Sequence, residues 1–153
     1  MIKTQVTWTG PGLRLIGEVE GSPAIVLDSK NPTYGANTGI SPKSLLLVGL
    51  AGCTAMDVIS IMAKKRQPLV NLQVKVTAEE TTRHPRVYQN IHLEYIAYGT
   101  GISEKALQRA IELSEKTYCG ASAMLRKAAE ITHSYRIVEA PYPAPPGEMP
   151  QSK

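Results

Sequence analysis

The chain has 153 residues, 42% apolar and 20% charged, with seventeen Lys and Arg against thirteen Asp and Glu for a net charge of +4. That length is about one ordinary domain, long enough to bury a core without disulfide or metal staples. The basic excess is small and scattered apart from Lys64, Lys65 and Arg66, and a chain with one Trp and no Phe offers no stacking platform, so a nucleic-acid partner is not expected.

Residues 2–9, IKTQVTWT, alternate apolar and polar side chains, as a strand with one buried face does. The opening MIKTQVTWTG lacks a basic leader followed by an apolar run, so a cytoplasmic location is expected. After the turn GPG at 10–12, Leu13 to Glu20 and Ala24 to Asp28 read as two further short strands of an antiparallel meander. Residues 29–41, SKNPTYGANTGIS, form turns throughout and read as a loop.

Ser41 followed by Pro42 marks a helix start, because a Ser N-cap accepts from orphan amides and Pro at the first position loses no needed donor. The helix is expected to run to about Arg66 and stop before Pro68. Within it, Leu45 to Ala63 is a mostly apolar stretch of 19 residues with a basic flank, the profile of a membrane span. Asp57 near its middle would cost roughly 2.5–3.5 kcal/mol on insertion scales. With Gly49, Gly52, Thr54 and Ser60 beside it, the stretch reads instead as a central helix surrounded by protein, with no membrane partner.

Leu72 to Glu79 alternates, Ile91 to Tyr98 alternates again through Ile91, Leu93, Tyr95 and Ala97, and the two read as an antiparallel pair around the turn-rich segment 81–86. Ser103 caps an amphipathic helix carrying Ala106, Leu107, Ala110, Ile111 and Leu113, expected to end near Tyr118 to Gly120. A short helix over Ala121 to Ala129 and a last strand over Thr132 to Glu139 follow. Residues 140–153 carry five prolines and are expected to be extended or disordered. The predicted architecture is one α+β domain over 1–139, its long helix packed on antiparallel sheet.

Two cysteines, Cys53 and Cys119, stand 66 positions apart, which fits neither a secreted disulfide framework nor a zinc site. Cys53 is placed mid-helix with Asp57 one turn further on. Buried cysteine packs well with no chemistry at all, so packing and reactivity both stand open for it. Cys119 falls at a helix junction, where free amides of the next helix would lower its pKa and favour the thiolate. Asp57 on an apolar helix needs a partner, and Arg14 and Arg126 are available cations. His84, His92 and His133 are dispersed without ligand spacing, so no metal is expected.

The stretch SPKSLLLVGLAGCTAMDVISIM, the interval to YCGASAML and the closing ITHSYRIVE together resemble the OsmC/Ohr family of osmotically induced and organic-hydroperoxide-resistance proteins, over residues 2–139. The resemblance implies an OsmC-like fold and an intertwined homodimer with its active site at the subunit interface. It implies that Cys53 is a peroxidatic nucleophile and that Cys119 resolves its sulfenic acid as a disulfide. An external dithiol is the implied reductant, with no bound cofactor. Arg14 stands about where the family places the arginine that holds the thiolate. Ten residues before Cys53, where active members carry a glutamate, stands Lys43, and Gly120 replaces a proline common after the second cysteine.

The expected function is therefore a thiol-dependent peroxidase reducing organic hydroperoxides in an oxidative stress response, with Leu50, Met56 and Met124 lining an apolar pocket. The alternative is a non-catalytic dimer of the same fold that binds a small ligand or senses redox state.

Overall fold

The computed structural model describes residues 1–139, so the expected proline-rich tail lies outside the described residues. Contacts divide the chain into two compact units, Met1–Val48 and the part from Gly49 onward, with the boundary inside the long helix.

In the first unit, β1 (Thr4–Trp8), β2 (Leu15–Val19) and β3 (Ile25–Leu27) form the expected antiparallel meander in the order β1-β2-β3. The expectation of a buried face on β1 fails, because all five of its residues are exposed, Val6 and Trp8 included. Alternation sorts side chains onto two faces but does not say what covers either one. The loop after β3 is tied to Asp28, whose buried carboxylate accepts from the backbone N–H groups of Ser29 (2.7 Å), Ala36 (3.2 Å) and Thr38 (2.9 Å) and from the Thr38 hydroxyl (2.7 Å). These donors, those of Thr38 foremost, hold the Asp28 carboxyl at about 2 against the opposing effect of burial. The loop folds back so tightly that a Cβ at Gly35 would collide with the Ser29 carbonyl and one at Gly39 with that of Val26.

Helix α1 (Pro42–Lys64) starts where the sequence places it, with the Ser44 amide donating to Ser41 Oγ at 3.3 Å. Its 23-residue length, with an 18-residue window of mean hydropathy 2.0, is by length and composition enough to cross a membrane. Leu50, Thr54, Val58 and Met62, spaced four apart, form its buried stripe. Met56 and Ile59 are exposed, so within one chain α1 is covered on one side and not surrounded as its composition suggests.

In the second unit, β4 (Asn71–Glu80), β5 (Tyr88–Tyr98) and β6 (Glu130–Val138) form a sheet with β5 in the centre. The β4–β5 pair is antiparallel as expected, with Val74 opposite Tyr95. β6 runs parallel to β5, with Tyr135 opposite Tyr95, so this sheet is mixed rather than antiparallel throughout. A parallel neighbour needs a long crossover, and the chain supplies it as α2 (Glu104–Leu113), a π-helical turn (Ser114–Tyr118) and α3 (Gly120–Leu125).

Ser103 caps α2, its Oγ accepting from the Ala106 amide at 3.3 Å, and Leu107, Ala110 and Ile111 are buried. α3 is shorter than its sequence suggests: after Leu125 the chain tightens, with the Lys127 amide donating to the Met124 carbonyl at 3.3 Å. Ile91, Leu93, Tyr95 and Ala97 of β5 complete the core with Leu50, Val58 and Met62 of α1. The fold is α+β, with the long helix packed on the sheet.

Candidate functional site: a cysteine pair beside a directed hydroxyl chain

The second unit brings Cys53, Asp57 and Cys119 together. Their two sulfurs and a carboxylate oxygen all lie within 4.8 Å of one another. Both cysteines are free thiols; Cys119 is buried and Cys53 half-buried. A disulfide needs a sulfur separation of about 2.05 Å, so bond formation requires the sulfurs to close the remaining gap. The members of this grouping come from α1 and from the junction before α3.

The junction is built by the π-helical turn, in which the Cys119 amide donates to the Ser114 carbonyl five residues back at 2.8 Å. The widened turn sends two consecutive side chains inward. Ser114 is fully buried, and its hydroxyl donates to Asp57 Oδ2 at 2.9 Å. Glu115, with its side chain 7% exposed, places Oε1 2.9 Å from His133 Nδ1 and Oε2 3.8 Å from Arg126 Nη2.

Thr54 Oγ1 lies 2.7 Å from the Tyr95 hydroxyl and 2.9 Å from Ser114 Oγ. The donor directions follow from proton counting. An ionised carboxylate only accepts, so Ser114 spends its one proton on Asp57 and must accept from Thr54, which in turn must accept from Tyr95. Three hydroxyl protons therefore point the same way, from Tyr95 to Thr54 to Ser114 to Asp57. Burial pushes the Tyr95 phenol well above its ordinary value, which keeps its proton available to donate.

The expected thiolate at Cys119 is not what its surroundings favour. Cys119 caps α3 and its Sγ does accept from the Ser122 amide at 3.4 Å, but burial outweighs this and raises the thiol pKa above its ordinary value. The Ser122 hydroxyl favours the thiolate and the neighbouring Cys53 disfavours it. In this dithiol state the Ser122 hydroxyl is itself buried without a hydrogen-bond partner among the described residues.

Among the described residues, Arg126 is not paired with Asp57 but is engaged with Glu115. Arg14 lines a cavity of the first unit with Asp28 and Tyr34. The expected apolar lining is also revised. Leu50 is fully buried on the core stripe, and Met56 and Met124 are 74% and 70% exposed. The cavity that reaches Asp57, about 330 Å³, is lined instead by Ser60, Ile61, Lys64, Lys65, Leu113 and Tyr118. Thr54, Tyr95 and Ser114 escaped the sequence reading. The available signal was a polar residue inside each apolar stripe: Thr54 among Leu50, Val58 and Met62, and Tyr95 among Ile91, Leu93 and Ala97.

A long helix laid on a mixed sheet, with two free thiols meeting beneath it, defines an α+β domain of the two-cysteine type. The profile of the family described as OsmC-like protein matches residues 35–134, and the chain belongs to that family. It is 36% identical over 139 residues to protein YhfA of Escherichia coli K12, covering 91% of this chain and 100% of YhfA. A hypothetical protein from Aquifex aeolicus has the same fold at TM-score 0.80 and 24% identity, over 92% of this chain and 98% of that one. The fold is shared as well, at TM-score 0.64 and 13% identity, by an organic hydroperoxide resistance protein OsmC from Legionella pneumophila, over 88% of this chain and 96% of that one.

Proposed function

We propose that this protein is a thiol-dependent peroxidase that reduces organic hydroperoxides. The observation that carries the reading is the meeting of two free sulfurs within 4.8 Å inside a fold shared with an organic hydroperoxide resistance protein. The Cys53 thiolate attacks the distal peroxide oxygen, the O–O bond breaks, and an alcohol leaves. Cys53 is left as a sulfenic acid. The Cys119 sulfur then displaces water to form a Cys53–Cys119 disulfide, and an external dithiol of the cytoplasm returns both thiols by exchange. Arg14 is assigned as the cation for the Cys53 thiolate on its sequence position. The working form is a homodimer, supported by the exposed apolar residues of β1 and α1, among them Val6, Trp8, Met56 and Ile59.

Reduced protein mixed with cumene hydroperoxide and a dithiol tests this directly. Wild type consumes the peroxide catalytically and Cys53→Ser does not; equal consumption by the two removes the enzyme reading. A second reading, a dimer that senses peroxide without turning it over, is favoured by Lys43 at the position where active relatives carry glutamate. It is distinguished by a single round of disulfide formation with no turnover when dithiol is supplied.

A further inference from the structure

Forming the disulfide requires Cys119 to give up a proton and the sulfenic oxygen to gain one. Cys119 is buried, so solvent is a poor courier for the proton it gives up. A carboxylate oxygen of Asp57 lies within 4.8 Å of both sulfurs. Its Oδ2 is fixed by Ser114, which is held by Thr54, which is held by Tyr95. All three hydroxyl protons of this chain point toward Asp57, so the core fixes how its carboxylate is presented.

We propose that Asp57 is the proton shuttle of the resolving step, a catalytic residue, and that Thr54, Ser114 and Tyr95 are its positioning residues. This rests on the peroxidase reading. In the step, the Cys119 S–H bond breaks and its proton passes to an Asp57 oxygen. The freed electron pair on Cys119 attacks the Cys53 sulfur, and the S–O bond of the sulfenic acid breaks with its electron pair remaining on oxygen. Asp57 returns the proton to that oxygen, so water leaves and the carboxylate is regenerated. Cys119 sulfur is oxidised, Cys53 sulfur is reduced from the sulfenic level, and no further oxidant is consumed.

A carboxylate is a weak base for a thiol, but here it does not have to keep the proton. The departing hydroxide is a far stronger base than a thiolate, so the overall transfer runs downhill. The Ser122 amide and its otherwise unpartnered hydroxyl lie beside Cys119 and favour the charge that develops there.

The test follows one turnover of reduced protein with one equivalent of cumene hydroperoxide, quenched over time and divided into sulfenic acid, captured by a dimedone-type reagent, and disulfide. Asp57→Asn is expected to accumulate sulfenic acid and to form disulfide about a hundredfold more slowly than wild type, the low end for general acid–base catalysis. Thr54→Val is expected to shift the same partition toward sulfenic acid, and Thr54→Ser, which keeps the hydroxyl, to restore it. The Thr54 pair keeps the test decisive if Asp57→Asn does not fold. Disulfide formation by folded Asp57→Asn at the wild-type rate overturns the shuttle, as does a partition identical in Thr54→Val and Thr54→Ser. Wild-type protein that leaves the hydroperoxide unconsumed overturns the peroxidase reading itself, and the shuttle with it.

Discussion

Asp57 of α1 accepts its hydrogen bond from the Ser114 hydroxyl, 57 residues further along the chain, and not from an arginine. A carboxylate that accepts from a hydroxyl keeps further lone pairs free to accept a proton from a neighbour. The same bond ties the π-helical turn to α1, so the geometry of the cysteine pair and the stability of the core depend on one polar chain.

That dependence is measurable as stability. Tyr95→Phe removes the donor at the head of the chain and leaves a Thr54 lone pair unmet in a fully buried place. Thr54→Val strands both Tyr95 and Ser114 as buried polar groups. Urea unfolding is expected to show losses of about 1–3 kcal/mol, with Thr54→Val the larger, since each unmet buried group costs on that order.

The Glu115 contacts predict an ordering. The His133 contact at 2.9 Å is close, while Arg126 is 3.8 Å away with its side chain 44% exposed. His133→Ala is expected to cost about 1–2 kcal/mol, because it leaves a buried carboxylate short of a near partner. Arg126→Ala is expected to cost less, because its half-exposed guanidinium stands 3.8 Å from the carboxylate and outside hydrogen-bond reach. The reverse ranking in thermal or chemical unfolding would contradict this account of the turn.

Asp28 gives a pH dependence with a definite sign. Its carboxyl sits at about 2 in the folded chain against an ordinary 3.8, so the stabilisation is fully present above the ordinary value and is lost as pH falls toward the folded value. Acid unfolding of wild type is expected to steepen between those two values, and Asp28→Asn to be flatter across that window and less stable at neutral pH.

Cys119 behaves in the opposite sense. A raised thiol pKa means the protonated form is favoured by folding, so its contribution is full below the unfolded thiol value and fades as pH rises through the folded one. In Cys53→Ser, where burial still dominates, alkylation of Cys119 by iodoacetamide is expected to be slower than that of a free thiol at pH 8 and to rise only at higher pH. A reaction already saturated at pH 7 would show a thiolate instead.

The exposed apolar side of α1 predicts association. Met56→Lys and Ile59→Lys place charge on residues that the single chain leaves uncovered, so they are expected to weaken a dimer without unfolding the protomer. Sedimentation of wild type as a monomer would contradict the dimeric reading.

Much of the fold was written locally. Burial of one sheet face imposes period two on β4 and β5, and the Ser41–Pro42 pair announces α1 because capping chemistry is local. The direction of β6 was not, since a parallel and an antiparallel strand alternate alike and the crossover through α2 and α3 decides. Nor does alternation in β1 reveal that nothing in its own strand's pattern is covered. Of the site, the two cysteines and Asp57 stood out as unusual residues in apolar surroundings. The hydroxyl chain did not, because it joins positions 54, 95 and 114 through the core, and SEKTY carries no local mark of a π-helical turn.

The central claim is that Cys53 and Cys119 form a redox pair driven by hydroperoxide. Intact mass and peptide mapping after one equivalent of cumene hydroperoxide test it most directly. The account predicts a loss of about 2 Da, two hydrogens, located in a Cys53–Cys119 cross-link that dithiol reverses. Protein of unchanged mass, with both thiols still titratable, would contradict it.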